Sequence, residues 1–562
     1  MPIIVRDDHT VEITTPRLHA VFSGASLISL KNASGRPLLE AGSAPVPALE
    51  VQFAGGQAIP IGTQDAPQVF IRALSDNVVH LHVEDNEADA CLRLTTDPEG
   101  RILVEPSAET VRPGLGVLRF NLAGISPGFK FVAPLYQGCQ LELESPLLAP
   151  DRYPWPHMWE APLAILQGPG GGWSVSCHDR LSRPKALSVG HPADPRTLGF
   201  ETEAIGPWDR NTAVGSLTWI IDAHDGDWTV PARRYRHWLE RTYDLAGLAA
   251  QRPAWVHDIR LTVQGSPCRL DILEALAEVI DPRCVLIETG GWRRDLFDTN
   301  YPEYVASDAG RAFLQEAVRH GFRIMPYFNF QGCDPSHPVF ASVSRYVTRD
   351  PSTHRILGWR HDGSQCRDFP QGQGRLLTLK ERTGHTELAY IHPGSSVWRH
   401  ELGRRIADTV REFGLTGVFV DQTLATSNVD NGLVENLSPS DGMIALIREL
   451  GALGPEMAIA GEGLNEMSMQ HLAFAQAHLF KSWHVNHPNL TDLDPVPIGA
   501  LLYGDVCRTM GYIDLAGETP AGELRLELHE KLGALPSLRL RNGDHVRNLS
   551  PAARRVLARA QA

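Results

Sequence analysis

Up to about residue 225 the apolar positions recur with a period of two. Val79, Leu81 and Val83 alternate with His80 and His82, and similar short runs occur at 11–15, 18–22, 117–121 and 173–176 between turns bearing Gly or Pro. Helical periodicity is nearly absent there, so residues 1–225 are expected to form an antiparallel β-sandwich. At 226–254 the pattern changes: Ala232, Tyr235, Trp238, Leu239 and Tyr243 follow helical spacing and Pro253 closes the segment, which predicts a connecting helix.

From 255 to 562 short apolar runs alternate with amphipathic helices, as in parallel strands joined by helical crossovers. Strands are expected at 259–263, 284–288, 323–328, 417–421, 457–462, 478–483, 508–513 and 535–540. Between them Leu270, Leu273, Ala277 and Ile280 share one helical face, and Leu402, Ile406, Val410 and Phe413 share another that ends at Gly414. Eight strand-helix pairs without a Gly-rich nucleotide-binding turn predict a closed (β/α)8 TIM barrel after the sandwich. The third strand and its helix are separated by residues 329–394, a long insert rich in Gly, Pro, Asp, His and aromatics.

Composition narrows the classes of partner. With 43% apolar and 21% charged residues the chain matches a globular protein, and no segment approaches a membrane span. The net charge of −14, with its acids spread along 562 residues, offers no basic face for nucleic acid. Of eight cysteines without a C-x-x-C pair, most read as small core residues. The first residues carry no basic start followed by an apolar stretch, so a cytoplasmic location is expected, or secretion if a leader was removed.

Barrels of this kind collect chemistry where strands end. Asp421 ends the run Gly417-Val418-Phe419-Val420, and an acid there is costly unless it is solvated, paired or used. Glu462 ends the next strand between Gly461 and Gly463, which are expected to leave its carboxylate uncovered, with Glu466 as its rival. Glu288, Trp292, Arg293 and Asp298 follow the second strand and are candidates for substrate contact. His392, Lys481 and His484 are further candidates. His484 and His487 have zinc-like spacing, but no remaining ligands complete a set, so no catalytic metal is expected. The aromatic stretch 153–160 is read either as sandwich core or as a cover for the barrel mouth.

A sandwich, a connecting helix and a barrel with Asp421 ending its fourth strand and Glu462 its fifth resembles the retaining α-glycosidases of the clan that holds the α-amylase family. In layout it is closer to the endo-α-N-acetylgalactosaminidase family and to related bacterial glycosidase-like barrels. Phe419 stands where the amylase family has an arginine, and the counterpart of that family's third acid stays open between Asp505 and Asp514. The resemblance implies a glycoside hydrolase acting on a carbohydrate without a cofactor, with Asp421 as nucleophile and Glu462 as acid/base. An inverting glycosidase on the same barrel and a non-catalytic carbohydrate-binding protein are the alternative readings.

Overall fold

The computed structural model describes residues 3–6, 10–40, 46–62, 68–148, 151–215, 217–360, 387–478, 494–512 and 515–562. The N-terminal part consists of antiparallel sheets: one of five strands, one of six and one of eleven. Their alternating apolar residues form one continuous core. Where the six- and eleven-stranded sheets meet, Phe200 packs on Trp219 at 5.1 Å between ring centres, and Trp159 stacks on Trp219 at 6.2 Å. The aromatic stretch is therefore core at this point. One strand of the larger sheet comes from far along the chain: Asp494–Pro495 pairs with Cys139–Glu142 and ties sandwich to barrel.

The connecting segment divides into helices Thr229–Tyr243, Leu245–Ala250 and Trp255–Asp258. Asp244 separates the first two in a left-handed conformation, at φ 49°. Pro231, Ala232, Tyr235, Trp238 and Leu239 are buried in the first helix, close to the predicted face.

Eight strands then form a parallel sheet. In chain order they are Leu261–Val263, Val285–Thr289, Arg323–Asn329, Gly417–Asp421, Ala458–Glu462, Phe474–Gln476, Arg508–Met510 and Ser537–Leu538. The last pairs with the first, and the Leu535 N–H donates to the Thr509 carbonyl at 2.8 Å where the seventh and eighth meet, so the ring nearly closes. The sixth strand corrects the expectation of 478–483, of which only His478 is described. Its short run of Phe474, Ala475 and Gln476 carries too little apolar bulk to stand out by period alone.

The crossover helices end where their caps predict. Ser395 accepts from the Trp398 N–H to start helix Ser396–Phe413, and Gly414 ends it at φ 64°. Ser438 and Asp441 form a capping box on helix Pro439–Gly451, with proline in its first turn. Between the third strand and helix Ser396–Phe413 lies a small antiparallel sheet of Gly332–Cys333, Gly358–Arg360 and Glu387–Tyr390. Among the described residues no helix is long and apolar enough to cross a membrane.

Candidate active site

The parallel register brings the polar strand ends to one rim: Asn329 stands beside Asp421, and Glu462 beside Gln476. Val418, Phe419 and Val420 are fully enclosed, so the strand that carries Asp421 is anchored by packing. The Tyr327 hydroxyl, from the third strand, donates to Asp421 Oδ2. Tyr327 is itself set by stacking on Phe419, at 6.0 Å between ring centres.

Glu462 is held from three other chain segments. The Gln422 N–H donates to its Oε2 at 3.1 Å, His478 Nε2 lies 3.4 Å from its Oε1, and the Tyr512 hydroxyl hydrogen-bonds to it. His478 and Tyr512 stack on each other with ring centres 3.8 Å apart. Gln422, directly after Asp421, has φ 63°, a conformation that costs a non-glycine residue free energy and is a common mark of functional sites. Its side chain reaches the Tyr390 hydroxyl at 3.1 Å, which braces the strained turn.

The side chains of Asp421 and Glu462 hydrogen-bond to each other. Burial, then the charge of Glu462, pushes Asp421 well above the usual carboxylate range. Burial also pushes Glu462 up, to about 7, against the hydrogen bonds that favour its ionised form. Two acids in such contact cannot both ionise readily, so the pair holds a shared proton near neutral pH and titrates as a unit.

Two more buried carboxyls interact with this pair through their charges. Glu288 accepts from the Gly265 N–H at 2.9 Å and is raised to about 7, first by burial and further by the charge of Asp421. Asp298 is buried at φ 57°, accepts from the Tyr301 hydroxyl at 3.3 Å, and its charge raises Glu462.

The remaining candidates lie elsewhere. Trp292, expected to stack on a sugar, is fully buried, and its Nε1 donates to the Tyr327 carbonyl at 3.1 Å. Arg293 is turned into the same loop: its guanidinium lies 4.4 Å from the Tyr301 ring centre and donates to the Thr299 carbonyl at 2.7 Å. Both brace the floor beneath Tyr327. His392 has its ring nitrogens engaged by backbone, the Gly394 N–H at 2.9 Å and the Gly432 carbonyl at 3.2 Å, and burial lowers it to about 4. Lys481, His484 and His487 lie outside the described residues, as does Asp514. Asp505 is paired with Arg236 of the connecting helix at 2.7 Å.

The glycines around Glu462 also act differently from expectation. A Cβ on Gly461 would meet Thr423 Oγ1 at 2.4 Å and Leu472 at 2.6 Å, so this glycine permits close packing. Gly463, at φ 69°, turns the chain away from the strand. Glu462 is nearly covered, its side chain 13% exposed.

Glu466 belongs to the domain interface. It accepts from the Tyr235 and Tyr243 hydroxyls at 3.0 and 3.1 Å, and burial raises it to about 7 from an ordinary 4.5. Nearby, Gln137 of the sandwich donates to Glu160 at 2.8 Å and to the Leu464 carbonyl at 3.0 Å, while the Glu466 N–H donates to the Glu160 carbonyl at 2.8 Å. The sandwich thereby grips the turn that follows Glu462. Because the folded chain keeps the Glu466 proton up to about 7 while the unfolded chain releases it near 4.5, this group costs stability as pH rises through that window. Glu466→Gln is expected to match the wild type below about pH 4 and to gain up to about 3 kcal/mol by pH 8. Thermal unfolding of both proteins across that range checks this, and a gap that stays constant with pH rejects it.

The sequence reading, which singled out acids together with Trp292, Arg293, His392, Lys481 and His484, missed Tyr327, Gln422, His478 and Tyr512. The alternation of Tyr327 with Asn329 at the end of the third apolar run was the signal available.

A family profile described as a domain of unknown function (DUF6259) matches residues 215–432. That span includes Asp421 and stops before Glu462. No curated protein sequence matches the chain. Among solved structures, the ligand-free alpha-N-acetylgalactosaminidase NagBb from Bifidobacterium bifidum is similar, at TM-score 0.67 and 13% identity over 98% of this chain and 92% of that one. Its GalNAc complex gives TM-score 0.66 and 11% identity over 100% and 92%. The GH36 alpha-galactosidase AgaB from Geobacillus stearothermophilus is more distant, at TM-score 0.46 and 8% identity over 100% and 86%. At this level of identity the likeness to NagBb is one of fold: the chain shares its architecture of β-sheets followed by a barrel.

Proposed function

We propose that this protein is a glycoside hydrolase that cleaves an α-linked sugar with retention of configuration, using Asp421 as nucleophile and Glu462 as acid/base. The observation that carries the reading is the contact between these two buried carboxyls at the ends of adjacent barrel strands. Retaining enzymes need their carboxyls about 5 Å apart, whereas inverting ones leave more than about 6.5 Å for a water. Two carboxyls already in hydrogen-bonding contact favour the first arrangement.

In this reading Asp421 attacks the anomeric carbon as Glu462 gives its proton to the departing oxygen, forming a glycosyl ester on Asp421. Glu462, now ionised, takes a proton from water, which attacks the same carbon and frees the sugar. Tyr327 orients Asp421 and stabilises its charge before attack and after release. Gln422 N–H and Tyr512 position Glu462 for the proton transfer. Asp298 and Glu288 then face the sugar hydroxyls. Since NagBb is named as an alpha-N-acetylgalactosaminidase, α-linked N-acetylgalactosamine is the first sugar to try.

The test is release of chromophore from α- and β-linked aryl glycosides, N-acetylated and plain, with the anomer of the first product read by proton NMR. Turnover of an α-glycoside to an α-sugar is expected. A β-sugar as first product sinks retention, and sugar binding without turnover supports the carbohydrate-binding alternative. Tyr327→Phe is expected to lower kcat by roughly 10- to 100-fold with little change in KM, because it removes one charge-assisted hydrogen bond of about 1.5–3 kcal/mol. An unchanged kcat removes Tyr327 from the mechanism.

A further inference from the structure

Away from the barrel, His80 and His82 alternate with buried Val79, Leu81 and Val83 on the strand Val78–Glu84, so both rings project from the outer face of the eleven-stranded sheet. The neighbouring strand Asp89–Thr96 places Cys91 directly across from His82 and Arg93 across from His80. One ligating atom from each of His80, His82 and Cys91 lies within 4.8 Å of the others. Cys91 Sγ and His82 Nε2 are 3.8 Å apart.

That spacing is close to what a tetrahedral zinc ion demands. Zn–S of about 2.3 Å and Zn–N of about 2.0–2.1 Å give an S···N edge of about 3.6 Å and an N···N edge of about 3.3 Å. The cysteine and His82 approach the first at 3.8 Å, and the ligating atom of His80 lies within 4.8 Å of both. A second feature points the same way: His80 Nε2 is shut off from solvent and, among the described residues, has no hydrogen-bond partner. A polar nitrogen left in that condition costs free energy that a metal bond would recover.

Access and charge are compatible with an ion. His82 is exposed, and Cys91 is partly exposed. The guanidinium of Arg93 is paired with Glu105 at 2.5 Å, and Arg72, across from His80 on the other side, is exposed to solvent.

We propose that His80, His82 and Cys91 form a zinc site on the sandwich, with three protein ligands and a fourth position open to water. The ligand set of one thiolate and two imidazoles suits a borderline-soft divalent ion and disfavours calcium or magnesium, which take oxygen ligands. Binding deprotonates the thiol, and the proton leaves to solvent. The site clips two adjacent strands together and is independent of the catalytic reading.

The experiment is titration of the full-length protein with Zn²⁺ against a chromophoric chelator, together with absorption spectra of the Co²⁺-loaded protein. The wild type is expected to take one equivalent of Zn²⁺ and to show a thiolate-to-cobalt charge-transfer band. Cys91→Ser is expected to weaken binding at least about tenfold and to abolish the band, the paired His80→Ala and His82→Ala change to remove binding, and Cys284→Ser to change neither. A wild-type protein that takes up less than half an equivalent, lacks the charge-transfer band, or binds zinc equally well as Cys91→Ser overturns the proposal.

Discussion

Asp421→Asn is expected to lower kcat/KM on an α-linked aryl glycoside by roughly 10³-fold or more, about 4 kcal/mol of transition-state stabilisation. The amide keeps the shape of the side chain, and its oxygen can still accept from the Tyr327 hydroxyl, so the fold and sugar binding should persist. What disappears is the electron pair that forms the bond to the anomeric carbon. Asp421→Gly with added azide sharpens the test, because a small anion can enter the vacated space and attack from the same face. Recovery of turnover with a β-glycosyl azide as product identifies Asp421 as the nucleophile. An Asn variant within threefold of wild type excludes that role.

The second large effect depends on the leaving group. Glu462→Gln is expected to cut turnover of a glycoside with an alkyl alcohol leaving group by roughly 10²–10⁴-fold, since that oxygen departs only when protonated. A nitrophenyl glycoside needs no such help. It should give a burst of phenol followed by slow turnover, because the same substitution removes the base that activates water for the second step. In the wild type, activity should fall as rising pH removes the proton that the Asp421–Glu462 pair shares, and that limb should vanish in the variant. Equal losses of the first, bond-breaking step on both leaving groups exclude Glu462 as the acid.

The barrel strands were legible because a strand announces itself within a few residues, by a compact apolar run between breakers. Gly417–Asp421 lies where its sequence places it, and Ala458–Glu462 differs from expectation by one residue. The acids at their ends were legible for the same reason: a carboxylate closing a fully apolar run has few inexpensive explanations. The sixth strand was misplaced because Phe474–Gln476 is too short and too weakly apolar to outweigh the run that follows. Trp292 and Arg293 illustrate a different limit. Their sequence suits both ligand contact and loop packing, and only the positions of Tyr301, Tyr304 and the Tyr327 carbonyl turn them inward.

Local pattern, period two before the connecting helices and alternating strands and helices after them, was thus enough for the sandwich, the barrel and the two rim acids, since the information for each is carried by near neighbours. The chemistry of those acids depends on distant ones. Tyr327 meets Asp421 across 94 positions of chain, and His478 and Tyr512 reach Glu462 from later strand ends. Closure of the barrel creates the low-dielectric enclosure that raises both carboxyls and makes them share a proton. Burial and proximity are properties of the closed ring, so the protonation state of the pair was decided only by tertiary structure.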